Sequence, residues 1–253
     1  MIKSKKLSKF KNVKHGFLNS LMKESHGIYK SINYETHSSK SKRLISKNLS
    51  NVALKIKSNT NKIILLNQIH SNKFYYIDKK SNHNNKKFKG DALITNKRNT
   101  PIAILTADCA PILIFDKKKE VAAAIHAGWK GAYKGILNKV IKFMVKKGST
   151  VDNITAVIGP CISIKNYEVK KDFIKRFITK DIKNKVFFKK VKNKSYFNLN
   201  RYIAYQLKIL GIKKIEVINK DTFNIKNNFF SARRSKSNNE DNYGRNISVI
   251  MIK

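Results

Sequence analysis

Two short stretches carry the residues best suited to chemistry. One is Thr106-Ala107-Asp108-Cys109-Ala110-Pro111, the other His126-Ala127-Gly128-Trp129. A thiol and an imidazole held together make either a metal site or a nucleophile–base pair. The competing reading is a buried cysteine and a hydrogen-bonded core histidine. His70 joins the pair because it, too, ends an apolar run, Ile63 to Ile69. Three N/S ligands without a fourth leave one coordination position open, as in catalytic rather than structural zinc sites. His15, His26, His37 and His83 stand in polar or loop contexts and are weaker candidates.

The elements that must position these residues follow from the apolar pattern. Ile102–Leu105, Ile112–Phe115 and Val121–Ile125 are short runs rich in Ile, Val and Ala, which predicts buried strands. The charged turn Asp116 to Glu120 makes the last two a hairpin, placing Cys109 and His126 at the outer ends of paired strands. Strands are also expected at Ile63–Ile69, Phe74–Ile77, Ile154–Ile158, Ile215–Ile218 and Ile247–Ile252. Helical spacing marks 40–56, one helix over Gly131–Lys147, a helix that follows Asn166-Tyr167-Glu168-Val169 and runs through Phe177, and another from Leu199 to a stop at Gly211. Residues 81–89 and the polar stretch after Arg234 read as loops, and 181–194 is too lysine-rich to assign. A basic, partly frayed leader over residues 1–14 and one α+β domain over 15–253 result, without repeat or linker.

The 253 residues are 41% hydrophobic, which suits a globular chain. No run reaches the roughly 18 apolar residues of a membrane helix, and the start lacks the apolar region of a secretory signal. A cytoplasmic protein with no membrane partner is expected. Cys109 and Cys161 should then remain unpaired. The net charge of +40 would suit a nucleic-acid or anionic-membrane binder. However, Asn and Ile are abundant beside Lys, the lysines are scattered over every segment, and no aromatic-interleaved basic patch stands out. This is the pattern of AT-rich coding, so nucleic acid is not the expected partner. The charge would still draw in phosphate-bearing small molecules.

The chain resembles the YfiH-type family of laccase-domain proteins, variously labelled polyphenol oxidases, bacterial purine nucleoside phosphorylases and peptidoglycan editing factors. The resemblance runs through Asn67-Gln68-Ile69-His70, Gly90 to Thr95, Ala107 to Pro111, His126 to Trp129, Ile158-Gly159-Pro160-Cys161, Tyr167-Glu168-Val169, Phe229 to Arg234 and Gly244-Arg245. It implies two mixed β-sheets packed together with helices outside, and a catalytic zinc on His70, Cys109 and His126, with copper as the alternative metal. It also implies phosphorolysis of adenosine, inosine, guanosine and methylthioadenosine, together with deamination of adenosine. Two departures stand out. The early loop, Phe17 to Ser25, lacks the family's arginine and paired glycines, and Asp221-Thr222 replaces a Cys-Thr pair.

Residue chemistry suggests further roles. Guanidinium groups match phosphate bidentately, so Arg233 and Arg234 are the expected anion clamp. Asp108 could carry a proton or orient the metal cysteine, which with the triad makes Cys109, His126, His70 and Asp108 the catalytic set. Gln68 is expected to bind a base edge or close a loop. Trp129 and Tyr167 could stack on a purine or pack in the core. Two other functions compete: a cysteine- or metal-dependent hydrolase removing serine from a peptidoglycan precursor, with Cys109 as nucleophile, and copper-dependent phenol oxidation.

Overall fold

The computed structural model describes residues 1–20, 39–78, 88–240 and 243–253. The early loop beyond Ser20, with His26 and His37, and the segment holding His83 lie outside the described residues. Six strands form a mixed sheet in the order β11 (Lys214–Val217), β7 (Ile154–Ile158), β5 (Ala110–Asp116), β6 (Val121–Ala127), β3 (Ala92–Thr95), β2 (Phe74–Ile77). The two outer pairings are parallel and the inner three antiparallel. A second, antiparallel sheet is ordered β1 (Val13–Phe17), β12 (Asn246–Ile252), β4 (Ile102–Thr106).

Both sheets bury both faces, which is why their strands read as continuous apolar runs rather than alternating ones. Leu93, Leu113, Phe115 and Ala124 of the large sheet meet Ile102, Ile104, Ile250 and Ile252 of the small one. The opposite face of the large sheet packs on α3 (Ile136–Lys146) and α5 (Leu199–Ile209). The opposite face of the small sheet packs on α1 (Ser39–Lys55). The result is a helix–sheet–sheet–helix sandwich. The expected pair of packed sheets is thus present, with the six-stranded one mixed.

A third small sheet, β8 (Glu168–Val169), β10 (Lys194–Phe197) and β9 (Phe188–Val191), lies beside that pair. With α4 (Lys171–Lys180) it encloses an aromatic cluster in which Phe173 and Phe177 stack at 4.8 Å. The lysine-rich stretch that resisted assignment is a 3-10 helix, Ile182–Phe187, running into β9. Its Asn184 and Phe187 point inward at the three-residue spacing such a helix requires.

Four expectations are corrected. The leader is not frayed: Leu7 is fully buried, and Glu216 of β11 accepts hydrogen bonds from the Ser4 hydroxyl and from the Lys5 and Lys6 N–H groups. The helix expected over 131–147 is two helices, α2 (Trp129–Tyr133) and α3, because Gly135 takes a left-handed φ of 79° that ends the first. The run Ile63–Ile69 makes only isolated bridges at Ile64 and Asn67. The polar stretch after Arg234 is not all loop: α6 (Ala232–Ser237) runs into it, capped by the Ser231 side chain accepting from Arg234 N–H. Among the described residues no helix is long and apolar enough to cross a membrane.

Candidate metal centre

The β5–β6 hairpin pairs Pro111 with His126 and Ala110 with Ala127, so Cys109 stands one residue beyond the sheet edge, beside the histidine. The chain reaches Cys109 from β4 of the small sheet, and the crossing between sheets needs a sharp bend. Asp108 provides it with a left-handed φ of 79°. His70 arrives from the loop after Asn67 and also has positive φ, 55°. Its Nε2 lies 3.7 Å from Cys109 Sγ, and the His70 and His126 rings meet edge to face at 4.8 Å. One ligand atom from each of His70, Cys109 and His126 lies within 4.8 Å of the others. That is somewhat wider than the roughly 4 Å expected of ligands sharing one ion. Gly128 lets the chain pass close by: a Cβ there would come within 2.8 Å of Cys109 Sγ and 3.0 Å of His70 Cδ2.

The donor set fits a borderline-soft cation. The His126 Nδ1–H group donates to Asp91 Oδ1 at 2.8 Å, which turns Nε2 toward Cys109, where it would coordinate a metal once its own proton is lost. Burial alone would raise the Cys109 thiol, but His126 and His70 outweigh it and bring the thiol down to about 6. Burial likewise opposes a charge on His126, yet the Cys109 thiolate and the Asp91 carboxylate raise it to about 9. The pair is therefore poised as thiolate and imidazolium, and the thiolate is the form a metal binds.

Cys109 opens onto a cleft of about 690 Å³ whose walls include Ile162, Tyr167, Lys170, Arg233 and Lys236. The Arg233 guanidinium donates to the Glu168 carbonyl through both terminal nitrogens at 3.1 Å and lies over the Tyr167 ring at 5.6 Å. Arg234 turns inward instead, donating to the carbonyls of Thr222, Phe223 and Phe229. The two arginines expected together thus point in different directions, and Lys236, one turn along α6 from Arg233, lines the cleft beside it. Asp108 Oδ1 accepts from the Thr222 hydroxyl and Oδ2 from the Arg233 N–H, both at 2.6 Å. Gln68 is bonded at both ends of its amide to the Leu105 backbone, at 2.7 Å each. It closes the loop that carries His70. Trp129 packs on Phe173 at 4.9 Å, with Lys130 and Arg176 over its ring.

Both cysteines are free. Cys161 is 3% exposed; burial, with Asp221 and Asp108 close by, pushes its thiol well up. Asp221 accepts from the Ser163 N–H and hydroxyl, Asn166 Nδ2 and the Phe223 N–H, so it binds two loops together behind the cleft. Sequence reasoning did not single out Asp91, which bonds His126, or Lys236, which lines the cleft. The first had a signal, since a ligand histidine needs an acceptor for its second ring nitrogen and Asp91 opens a buried strand.

A family described as multi-copper polyphenol oxidoreductase laccase matches residues 14–253. A protein of Rickettsia prowazekii named purine nucleoside phosphorylase is 33% identical over 241 residues, 89% of this chain and 98% of that protein. One of the same name from Aquifex aeolicus is 39% identical over 134 residues, 53% of this chain and 60% of that protein. Among solved structures, the YfiH protein of Bacillus licheniformis superposes with a TM-score of 0.84 at 25% identity, covering 95% of this chain and 93% of that one. A Neisseria meningitidis protein of the family DUF152 gives 0.76 at 26% identity, with 96% of each covered. The chain belongs to the multi-copper polyphenol oxidoreductase laccase family, the YfiH-type fold.

Proposed function

We propose that the chain is a cytoplasmic, zinc-dependent purine nucleoside phosphorylase acting on adenosine, inosine, guanosine and methylthioadenosine, with adenosine deaminase activity at the same site. The observation that carries this reading is the convergence of His70 and His126 on Cys109, which lines a cleft that also presents Arg233 and Lys236. The names of the relatives point the same way. About 690 Å³ lies within the range of small-molecule sites and is ample for a nucleoside with phosphate.

Zinc held by the triad would supply a Lewis acid and lower the pKa of its water to about 7. The protein's own groups divide the remaining work. Arg233, fixed by Glu168 and Tyr167, presents its remaining donor capacity to phosphate, and Lys236 adds a second positive charge. Burial, followed by the nearby Cys109 charge, pushes the Tyr167 hydroxyl well above its ordinary range, so it stays protonated and can donate to substrate. Asp108 aims Cys109 through its left-handed bend while holding the start of α6, which links the metal cysteine to the anion clamp. Gln68 acts by fixing the loop that carries His70. Arg234 acts by holding α6 in place, so that its neighbour faces the cleft.

A second reading is favoured by the thiolate–imidazolium pair: Cys109 as nucleophile and His126 as base in a hydrolase acting on a peptidoglycan precursor. Copper suits the same donors, but the described residues offer one group of three ligands, which favours a single-ion centre. The deciding experiment incubates zinc-loaded protein with adenosine or inosine, with and without phosphate. Free base and ribose 1-phosphate should form only with phosphate, and inosine should form slowly from adenosine without it. Intact nucleosides in both cases, together with chelator-resistant cleavage of a muramyl-serine compound, would replace this reading with the hydrolase.

A further inference from the structure

Asp91, fully buried at the entry to β3, joins the two histidines of the triad. Its Oδ1 accepts from the His70 backbone N–H at 2.9 Å and from the His126 ring at 2.8 Å. Its Oδ2 accepts from the Ser71 N–H at 2.6 Å and the Ser71 hydroxyl at 2.7 Å. Its carbonyl accepts from the His126 N–H at 2.7 Å, and its own N–H donates to the Lys73 carbonyl at 2.9 Å. The loop around His70 and the end of β6 therefore meet on one residue. The contact is needed because His70 is held in a left-handed conformation that a non-glycine residue rarely adopts. The His126 ring, for its part, could present either nitrogen to Cys109, and the hydrogen bond at the other one decides which.

We propose that Asp91 is the positioning residue of the centre: its single carboxylate fixes the backbone of one histidine and the ring orientation of the other. The proposal rests on reading the triad as a metal site. The His126 ring and the Ser71 and His70 donors together satisfy both oxygens of the Asp91 carboxylate, so the group is not left unpaired inside the protein. Ser71 has no donor role toward the metal; it saturates the second carboxylate oxygen and stops the group from rotating.

The test measures Zn²⁺ affinity by competition with a chromophoric chelator, alongside the Co²⁺ absorption spectrum and the thermal midpoint of metal-free protein. Asp91→Asn keeps the size of the side chain but removes its charge and turns an amide NH₂ toward the Ser71 donors. Its dissociation constant should rise about ten- to hundredfold, with a shifted Co²⁺ ligand-field band. Ser71→Ala should fold normally and show about a two- to fivefold rise, within the range of one lost hydrogen bond. A purely structural role would lower the midpoint without moving the affinity of the folded protein. Affinity within twofold of the parent in folded Asp91→Asn would overturn the proposal; should that variant not fold, unchanged affinity in Ser71→Ala would do so. A parent chain that binds neither ion overturns the metal reading as well, whereas a metal-binding parent with indifferent variants overturns the Asp91 role alone.

Discussion

His126 and His15 are equally buried, each 3% exposed, yet their surroundings drive the two imidazoles in opposite directions. His126 sits between a thiolate and a carboxylate and is raised to about 9. His15, on the small sheet, is lowered to about 4, first by burial and then by the Lys3 charge, with Glu216 and the Ser4 backbone pulling the other way. Its Nε2 accepts the Ser4 N–H at 2.9 Å, a bond that requires the neutral ring. The cysteines repeat the contrast: Cys109 falls to about 6 beside two histidines, while Cys161 rises beside Asp221 and Asp108. Cys109 is half-buried and the other three are buried, and in all four desolvation opposes the charged form, so the sign of the neighbouring charge decides the direction.

The largest test of that contrast is thiol reactivity. In metal-free protein at pH 7, iodoacetamide should label Cys109 at least about 100-fold faster than Cys161, because the thiolate is the nucleophile. Peptide mass spectrometry reads the ratio, and bound metal should protect Cys109. Equal labelling would mean that charge does not set the difference.

The histidines provide the next test. A folded-state value lowered from 6.5 means that the unfolded chain binds the extra proton more readily. The stability from neutral His15 is therefore complete above about pH 6.5 and is lost as pH falls toward 4. The loss should amount to about 2–3 kcal/mol. Replacing His15 with Gln, whose carbonyl can still accept the Ser4 N–H, should flatten this part of the urea-unfolding profile between pH 7 and 4. An unchanged slope would place the proton elsewhere.

The smallest expected effect separates two adjacent arginines. Arg233→Ala should lower phosphorolysis by about tenfold or more, the loss of one charge-assisted bond of about 1.5–3 kcal/mol, and affect deamination less. Arg234→Ala, which removes donors to three backbone carbonyls, should act mainly by lowering the thermal midpoint and raise the KM for phosphate less than Arg233→Ala does. The reverse pattern would return the clamp to Arg234.

These neighbours also show where sequence reasoning stops. The hairpin that joins Cys109 to His126 was legible because apolar runs and a charged turn fix its register, and the ligands fall at its ends. Helix α6 was not, because Ala-Arg-Arg-Ser-Lys-Ser has no apolar periodicity, and without a helix the directions of Arg233 and Arg234 cannot be told apart. The break at Gly135 was hidden because apolar residues continue at helical spacing beyond it. Residues 63–69 looked like a strand, but the Gln68 side chain occupies the Leu105 N–H and carbonyl that a neighbouring strand would have used. Asp221, conspicuous as a departure from the family pattern, anchors its loop through four hydrogen bonds, a role that a sequence pattern does not express.

Elemental analysis decides whether His70, Cys109 and His126 form one metal centre. Protein purified without chelator and then exchanged into metal-free buffer should carry about one zinc per chain. The Cys109→Ala variant should carry almost none, with its circular dichroism and unfolding midpoint close to those of the metal-free parent. Folded parent protein that takes up no zinc or other transition metal, or a Cys109→Ala variant that retains a full equivalent, would contradict the account.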